Sequence, residues 1–140
     1  GGQEAGRCQV KLPVSRRWEL VDMIPTGEQL ELPADEDYQA GKAFEGLVLD
    51  DIFTGLMTDK DQVVTSIEDP GSVLRVTQTF DTTFSHCVVY TPPHREALCI
   101  EPYSMVSAAY QLEGGPAACG LRVLSPGEEI VFNVVIEMSR

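Results

Sequence analysis

The sequence predicts an all-β chain folded as one antiparallel β-sandwich. Three observations carry that expectation. Ile130, Phe132, Val134, Ile136 and Met138 alternate with Glu129, Val131, Asn133, Val135 and Glu137, and a period of two over that length marks a half-buried strand rather than a helix. Gln62 to Glu68 and Val73 to Phe80 are extended runs joined by Asp69-Pro70-Gly71-Ser72, a connection whose proline presets φ and whose glycine accepts positive φ. Outside Gln39 to Phe44, where a short helical turn is expected, no stretch has helical periodicity.

The elements follow in order. Gly1 to Gly6 reads as a flexible loop. Cys8 to Val14 alternates until Pro13 interrupts it, and Trp18 to Met23 is a second extended piece. Pro25-Thr26-Gly27 is expected to turn the chain. Leu30 and Leu32 alternate with charged neighbours, and the acidic Pro33 to Tyr38 segment reads as a loop. In the second hairpin strand, Leu74, Val76 and Phe80 share one face while Arg75, Thr77 and Thr79 share the other. Val88 to Glu101 contains apolar strand sequence that Pro102 is expected to stop. Ser125-Pro126-Gly127-Glu128 is the turn feeding the last strand. No repeat or low-complexity tract interrupts this pattern.

A chain of 140 residues fits a single domain, here spanning 1–140, with a sizeable core. Ten Lys and Arg against a net charge of −12 leave no basic face for nucleic acid or for an anionic membrane surface. The longest apolar runs are strand-sized, so neither a transmembrane span nor a signal peptide is expected. Cys8, Cys87, Cys99 and Cys119 lack metal-ligand spacing. Three lie in or beside apolar runs, the usual setting of reduced, buried thiols, and a cytoplasmic location is expected.

Glu101 is the leading candidate for chemistry. A carboxylate at the end of an apolar strand loses part of its hydration, which moves such a group toward the neutral pKa range of a general base; taken alone, the position more commonly holds a solvated strand-end acid. Asp50 and Asp51 lie between apolar residues in Leu49 to Leu56. In a strand they point to opposite faces, so only one can serve a given pocket, where a carboxylate can accept from a pair of hydroxyls such as a sugar's; taken alone, such an acid more commonly caps a turn in a loop. The lone Trp18 suits stacking on a sugar ring or, more commonly, a place in the core. His86 and His94 have no Ser, Cys or carboxylate at triad spacing and read as structural or exposed.

These motifs are collinear: Trp-Glu-Leu-Val-Asp from Trp18, Pro-Thr-Gly from Pro25, Leu-Asp-Asp-Ile-Phe-Thr-Gly-Leu from Leu49, Tyr-Thr-Pro-Pro from Tyr90, Cys-Ile-Glu-Pro from Cys99, and Gly-Leu-Arg-Val-Leu-Ser-Pro-Gly-Glu from Gly120. In that order they resemble the C-terminal half of the aldose 1-epimerase (galactose mutarotase) family. The resemblance implies the C-terminal portion of a galactose mutarotase-like supersandwich and α/β anomer interconversion of a galactose- or glucose-type hexose. By motif, it places the catalytic base on Glu101 and the sugar-binding aspartate on Asp50, three residues before Phe53. Ring opening by acid–base chemistry requires neither metal nor organic cofactor.

Two departures bear on sugar preference. Asp51 and Ile52 stand where the family often has His and Asn, and Ser107 and Ala108 occupy a stretch that usually carries a proline and a polar residue. The family's His-Pro-Tyr-Phe motif, in its N-terminal half, does not occur here, and neither His86 nor His94 matches a family histidine. The general acid is therefore expected from an N-terminal half of the same protein or from a second chain. A non-catalytic carbohydrate-binding or sugar-sensing sandwich is the alternative, and a structural module presenting an acidic surface is a third reading.

Overall fold

The computed structural model describes residues 5–113 and 116–140. Among the described residues, ten strands form two five-stranded sheets: β1 (Gln9–Lys11), β2 (Arg16–Val21), β3 (Ile24–Glu31), β4 (Lys42–Ala43), β5 (Asp50–Thr54), β6 (Gln62–Asp69), β7 (Leu74–Asp81), β8 (His86–Tyr90), β9 (Cys99–Tyr103) and β10 (Val134–Ser139). One sheet has the order β10-β7-β6-β1-β4 and the other β3-β2-β5-β8-β9, with every pair antiparallel. The expected antiparallel sandwich is thus what forms.

Alternation decides what each face buries. Val10, Leu12 and Val14 point inward from the first extended stretch and join Phe53, Cys87 and Val89 in the main core between the sheets. Ile52, beside Phe53, points the opposite way. With Trp18 it forms a second apolar cluster, covered by Val106, Ala109 and Cys119 from the segment that follows β9. The β5–β8–β9 part of its sheet is therefore apolar on both faces.

The hairpin between β6 and β7 forms as its sequence predicts. Asp69 pairs with Leu74, and its carboxylate accepts from the Gly71 amide at 2.9 Å and the Ser72 hydroxyl at 2.5 Å. These bonds hold the Asp69 carboxyl below its ordinary range. The Ser125–Glu128 turn also forms, closed by the Glu128 amide on the Ser125 carbonyl at 3.0 Å with Gly127 at φ +86°.

Several expectations are corrected. Pro25-Thr26-Gly27 does not turn the chain but lies within β3, where the register against β2 shifts between Trp18 and Leu20. The turn falls three residues earlier, at Asp22 and Met23, both with positive φ, between paired Val21 and Ile24. Two consecutive left-handed residues match the right-handed twist of the strands they join. Pro25 is tolerated because β3 is outermost in its sheet.

Pro102 likewise does not stop its strand. It lies inside β9, opposite Cys87, on the outermost strand at the other end of the same sheet. No helical turn spans Gln39 to Phe44, which instead contains β4 and only the first residue of the 3-10 turn Phe44–Gly46. Within the acidic loop, Ala34–Glu36 is another 3-10 turn. Of the glycine-rich opening, Ala5 and Gly6 begin a 3-10 turn that ends at Arg7, and the preceding residues lie outside the described ones.

The C-terminal strand is shorter than its alternation predicts, and it is not half-buried. β10 begins at Val134, and Ile136 and Met138 are 67% and 71% exposed. Their cross-strand partners Gln78 and Val76 place them on the core-facing side. However, the Gln78 side chain donates to the Ile100 carbonyl of β9 at 3.3 Å. The outermost strand of the second sheet thus sits over β7, leaving β10 beyond the overlap. Among the described residues, no helix is long and apolar enough to cross a membrane.

Candidate functional site

Glu101 and Asp50 are brought together on the face of the sheet that points away from the main core. Across the strands, Asp50 lies opposite Tyr90, Ile52 opposite Val88, and Val88 opposite Glu101. Directly paired residues share a face, so all five side chains project from the same side. The β5 and β9 backbones are two strand spacings apart, about 10 Å, and the acids are offset by a two-residue step. Between them is a cavity of about 390 Å³.

Ile52 and Val88 form its apolar floor, with Asp50 and Tyr90 toward one end and Glu101 and Tyr103 toward the other. Met23, from the β2–β3 turn, and Ser107, from the segment after β9, complete the rim. Asp50 is exposed and Glu101 half-buried. Among the described residues lining the cavity there is no Lys, Arg or His. Such a volume with apolar floor and few polar groups is in the range of small-molecule sites.

Tyr103 and Tyr90 were not singled out by sequence. The available signal for Tyr103 was strand alternation: two residues after Glu101, it must share that residue's face if the strand continues through the proline. Its phenol is raised above the ordinary range, first by burial and then by the nearby Glu101 carboxylate.

Asp51 borders the cavity, but its carboxylate is engaged elsewhere. Arg17 lies 3.6 Å from it and also binds Glu36 through both terminal nitrogens at 3.0 and 3.4 Å. Tyr38 donates to the same Glu36 at 3.2 Å. Burial raises the Asp51 pKa, with Arg17 opposing the shift. This charge network lines a separate cavity of about 380 Å³. As alternation requires, the adjacent aspartates serve different neighbours.

Trp18 is 3% exposed and belongs to the second apolar cluster, so its place is in the core and it offers no stacking platform. His86 is buried beside it, with ring centroids 5.9 Å apart. The Ser85 hydroxyl donates to the Ser104 carbonyl at 2.9 Å, so His86 Nδ1, 2.8 Å away, must donate to that hydroxyl. Burial lowers the His86 pKa to about 4. His86 Nε2 and Trp18 Nε1 are buried without a hydrogen-bond partner. His94 is exposed and accepts the Glu96 amide at 3.1 Å.

The four cysteines form no disulfide. Cys87 has its thiol pushed up to about 12 by burial, which makes it a poor nucleophile. No group of three or more His, Cys, Asp or Glu suited to a metal ion occurs among the described residues.

The architecture has a counterpart among solved structures. The chain is similar to the crystal structure of a galactose mutarotase-like protein from Clostridium acetobutylicum, with a TM-score of 0.86 and 20% sequence identity over 99% of this chain and 43% of the other. The fold is therefore a galactose mutarotase-like β-sandwich, and the chain spans less than half the length of that structure. No family model matches the sequence.

Proposed function

We propose that this chain is the base-bearing part of an aldose 1-epimerase acting on a neutral hexose. The observation that carries this reading is the convergence of Glu101 and Asp50 on one cavity with an apolar floor. A pyranose has hydroxyls around its rim and C–H groups on its faces, and the cavity offers carboxylate acceptors above aliphatic side chains. A phosphorylated sugar would meet two carboxylates with no cationic side chain in the described lining. Like charges 4 Å apart repel by roughly 1–4 kcal/mol between bulk water and a protein surface.

In this mechanism Glu101 accepts the C1 hydroxyl proton while the ring oxygen is protonated from the other side. The C1–O5 bond breaks, the open-chain aldehyde rotates about C1–C2, and closure returns both protons in the opposite anomer. Asp50 accepts hydrogen bonds from hydroxyls and fixes the ring over Ile52 and Val88. No metal or organic cofactor enters these steps. The acid that protonates the ring oxygen is supplied by a histidine of an N-terminal half or second chain. His86 is a poor candidate for that role, because it is neutral and buried, with Nδ1 tied to Ser85. The free thiols of Cys8, Cys87 and Cys99 favour a reducing, cytoplasmic setting.

Polarimetry of freshly dissolved α-D-galactose and α-D-glucose tests the proposal. Mutarotation should accelerate when the chain is combined with the histidine-bearing part. Glu101→Gln should then lower turnover by roughly 10²–10⁴-fold, the usual scale of a lost general base, while hexose binding persists. A variant as fast as the unsubstituted protein would refute the role of Glu101. The second reading is a carbohydrate-binding module without catalysis, favoured by the absence of a histidine from the described cavity lining. Hexose binding with no acceleration in the combined protein would select it.

A further inference from the structure

The charge of the Asp50–Glu101 cavity distinguishes among hexoses as well as against phosphorylated ones. Asp50, Asp51 and Glu101 line it, with no Lys, Arg or His among the described lining residues. Arg17, which lines the neighbouring cavity, lies 3.6 Å from Asp51 and offsets that carboxylate. Among the described residues, neither Asp50 nor Glu101 has an ion-pair partner. We infer that this cavity takes a cationic amino-hexose, in which an ammonium replaces one hydroxyl, more tightly than the neutral hexose. The inference rests on the reading of the cavity as a hexose site and adds the charge class of its tightest ligand.

An ionised carboxylate only accepts hydrogen bonds, whereas a hydroxyl donates one and an ammonium three. Exchanging one for the other keeps the C–H face of the ring on Ile52 and Val88. It turns a hydrogen bond to a carboxylate into one charged at both ends, the stronger kind. Glu101 is half-buried, so its charge is screened less than that of exposed Asp50. The net charge of −12 adds a field that draws cations toward the chain. A bare cation fits less well, because it would leave Ile52 and Val88 uncovered. No group of three or more His, Cys, Asp or Glu suited to a metal ion occurs among the described residues. A ligand with both an ammonium and a C–H face meets the acids and the apolar floor together.

Calorimetric titration of this chain with D-galactosamine, D-galactose and D-galacturonate tests the inference on one sugar scaffold with three charges. Galactosamine should bind roughly 5- to 20-fold more tightly than galactose, the difference between a charged and a neutral donor, and galacturonate most weakly. The preference should shrink as salt rises from about 10 to about 500 mM. It should vanish between about pH 6.5 and about pH 9.5, where the ammonium loses its proton. Glu101→Gln, which keeps galactose binding, should lower the galactosamine-to-galactose affinity ratio. Glu137→Gln removes the same charge from β10 in the other sheet and should leave the ratio in place. Galactosamine binding no tighter than galactose would overturn the inference and leave the hexose reading standing, and so would a ratio unchanged in Glu101→Gln. Galactosamine binding without measurable galactose binding would uphold the inference and remove the neutral-hexose reading. Binding of none of the three would overturn both.

Discussion

Asp50 and Glu101, on strands separated by β8, project from the same face of one sheet into a single cavity. Tyr90 and Val88 on β8 set their spacing through the ladder, so the backbone register fixes how far apart the two acids stand. If Asp50 holds hexose hydroxyls, Asp50→Ala removes hydrogen bonds to a charged acceptor, each worth about 1.5–3 kcal/mol. Galactose affinity measured by calorimetry should then fall at least tenfold. The melting temperature should stay nearly unchanged, because Asp50 is exposed.

The burial of His86 predicts an acid-sensitive fold. Its pKa is lowered from 6.5 to about 4. Between those values the unfolded chain binds a proton that the folded chain does not, so this contribution is complete above pH 6.5 and is lost as pH falls toward 4. A shift of this size corresponds to something of the order of 3 kcal/mol. Urea unfolding at pH 7 and pH 4.5 should show the loss, and His86→Phe should flatten that part of the profile. An equally steep profile in the variant would locate the sensitivity elsewhere.

Gly120 is irreplaceable for two reasons at once. Its φ is +76°, which L side chains rarely adopt, and an added Cβ would meet the Ser104 carbonyl at 2.2 Å. Gly120→Ala should therefore destabilise the chain by about 2–4 kcal/mol, visible as a thermal midpoint lower by roughly 10 °C. Gly127→Ala should cost less. It shares the positive φ but has nothing within 4 Å of its added Cβ.

Ile136 gives the opposite test. Although it sits in an alternating apolar pattern, it is 67% exposed on the outermost strand β10. Ile136→Thr should change the stability of this chain by no more than about 0.5 kcal/mol, as exposed substitutions usually do. Val10→Ala, at a fully buried position in the main core, should cost about 2 kcal/mol or more. Denaturant midpoints of the two variants compare them directly.

The sequence by itself determined the class of fold, because side-chain alternation and turn chemistry are local. The period of two in Cys8 to Val14 appears as three inward-facing residues, and Asp69-Pro70-Gly71-Ser72 closes the hairpin with its own carboxylate. It also determined that Asp50 and Asp51 part ways, since neighbours on a strand cannot share a face. Tertiary structure decided what local signals cannot carry. Pro25 and Pro102 break strands only where their missing N–H is needed, and both lie on outermost strands. Ile136 and Met138 have the pattern of buried residues, but burial depends on whether another layer lies above, and β9 reaches only β7. The meeting of Glu101, Tyr103 and Asp50 in one cavity likewise came from pairing register across three strands, a long-range property that no single segment encodes.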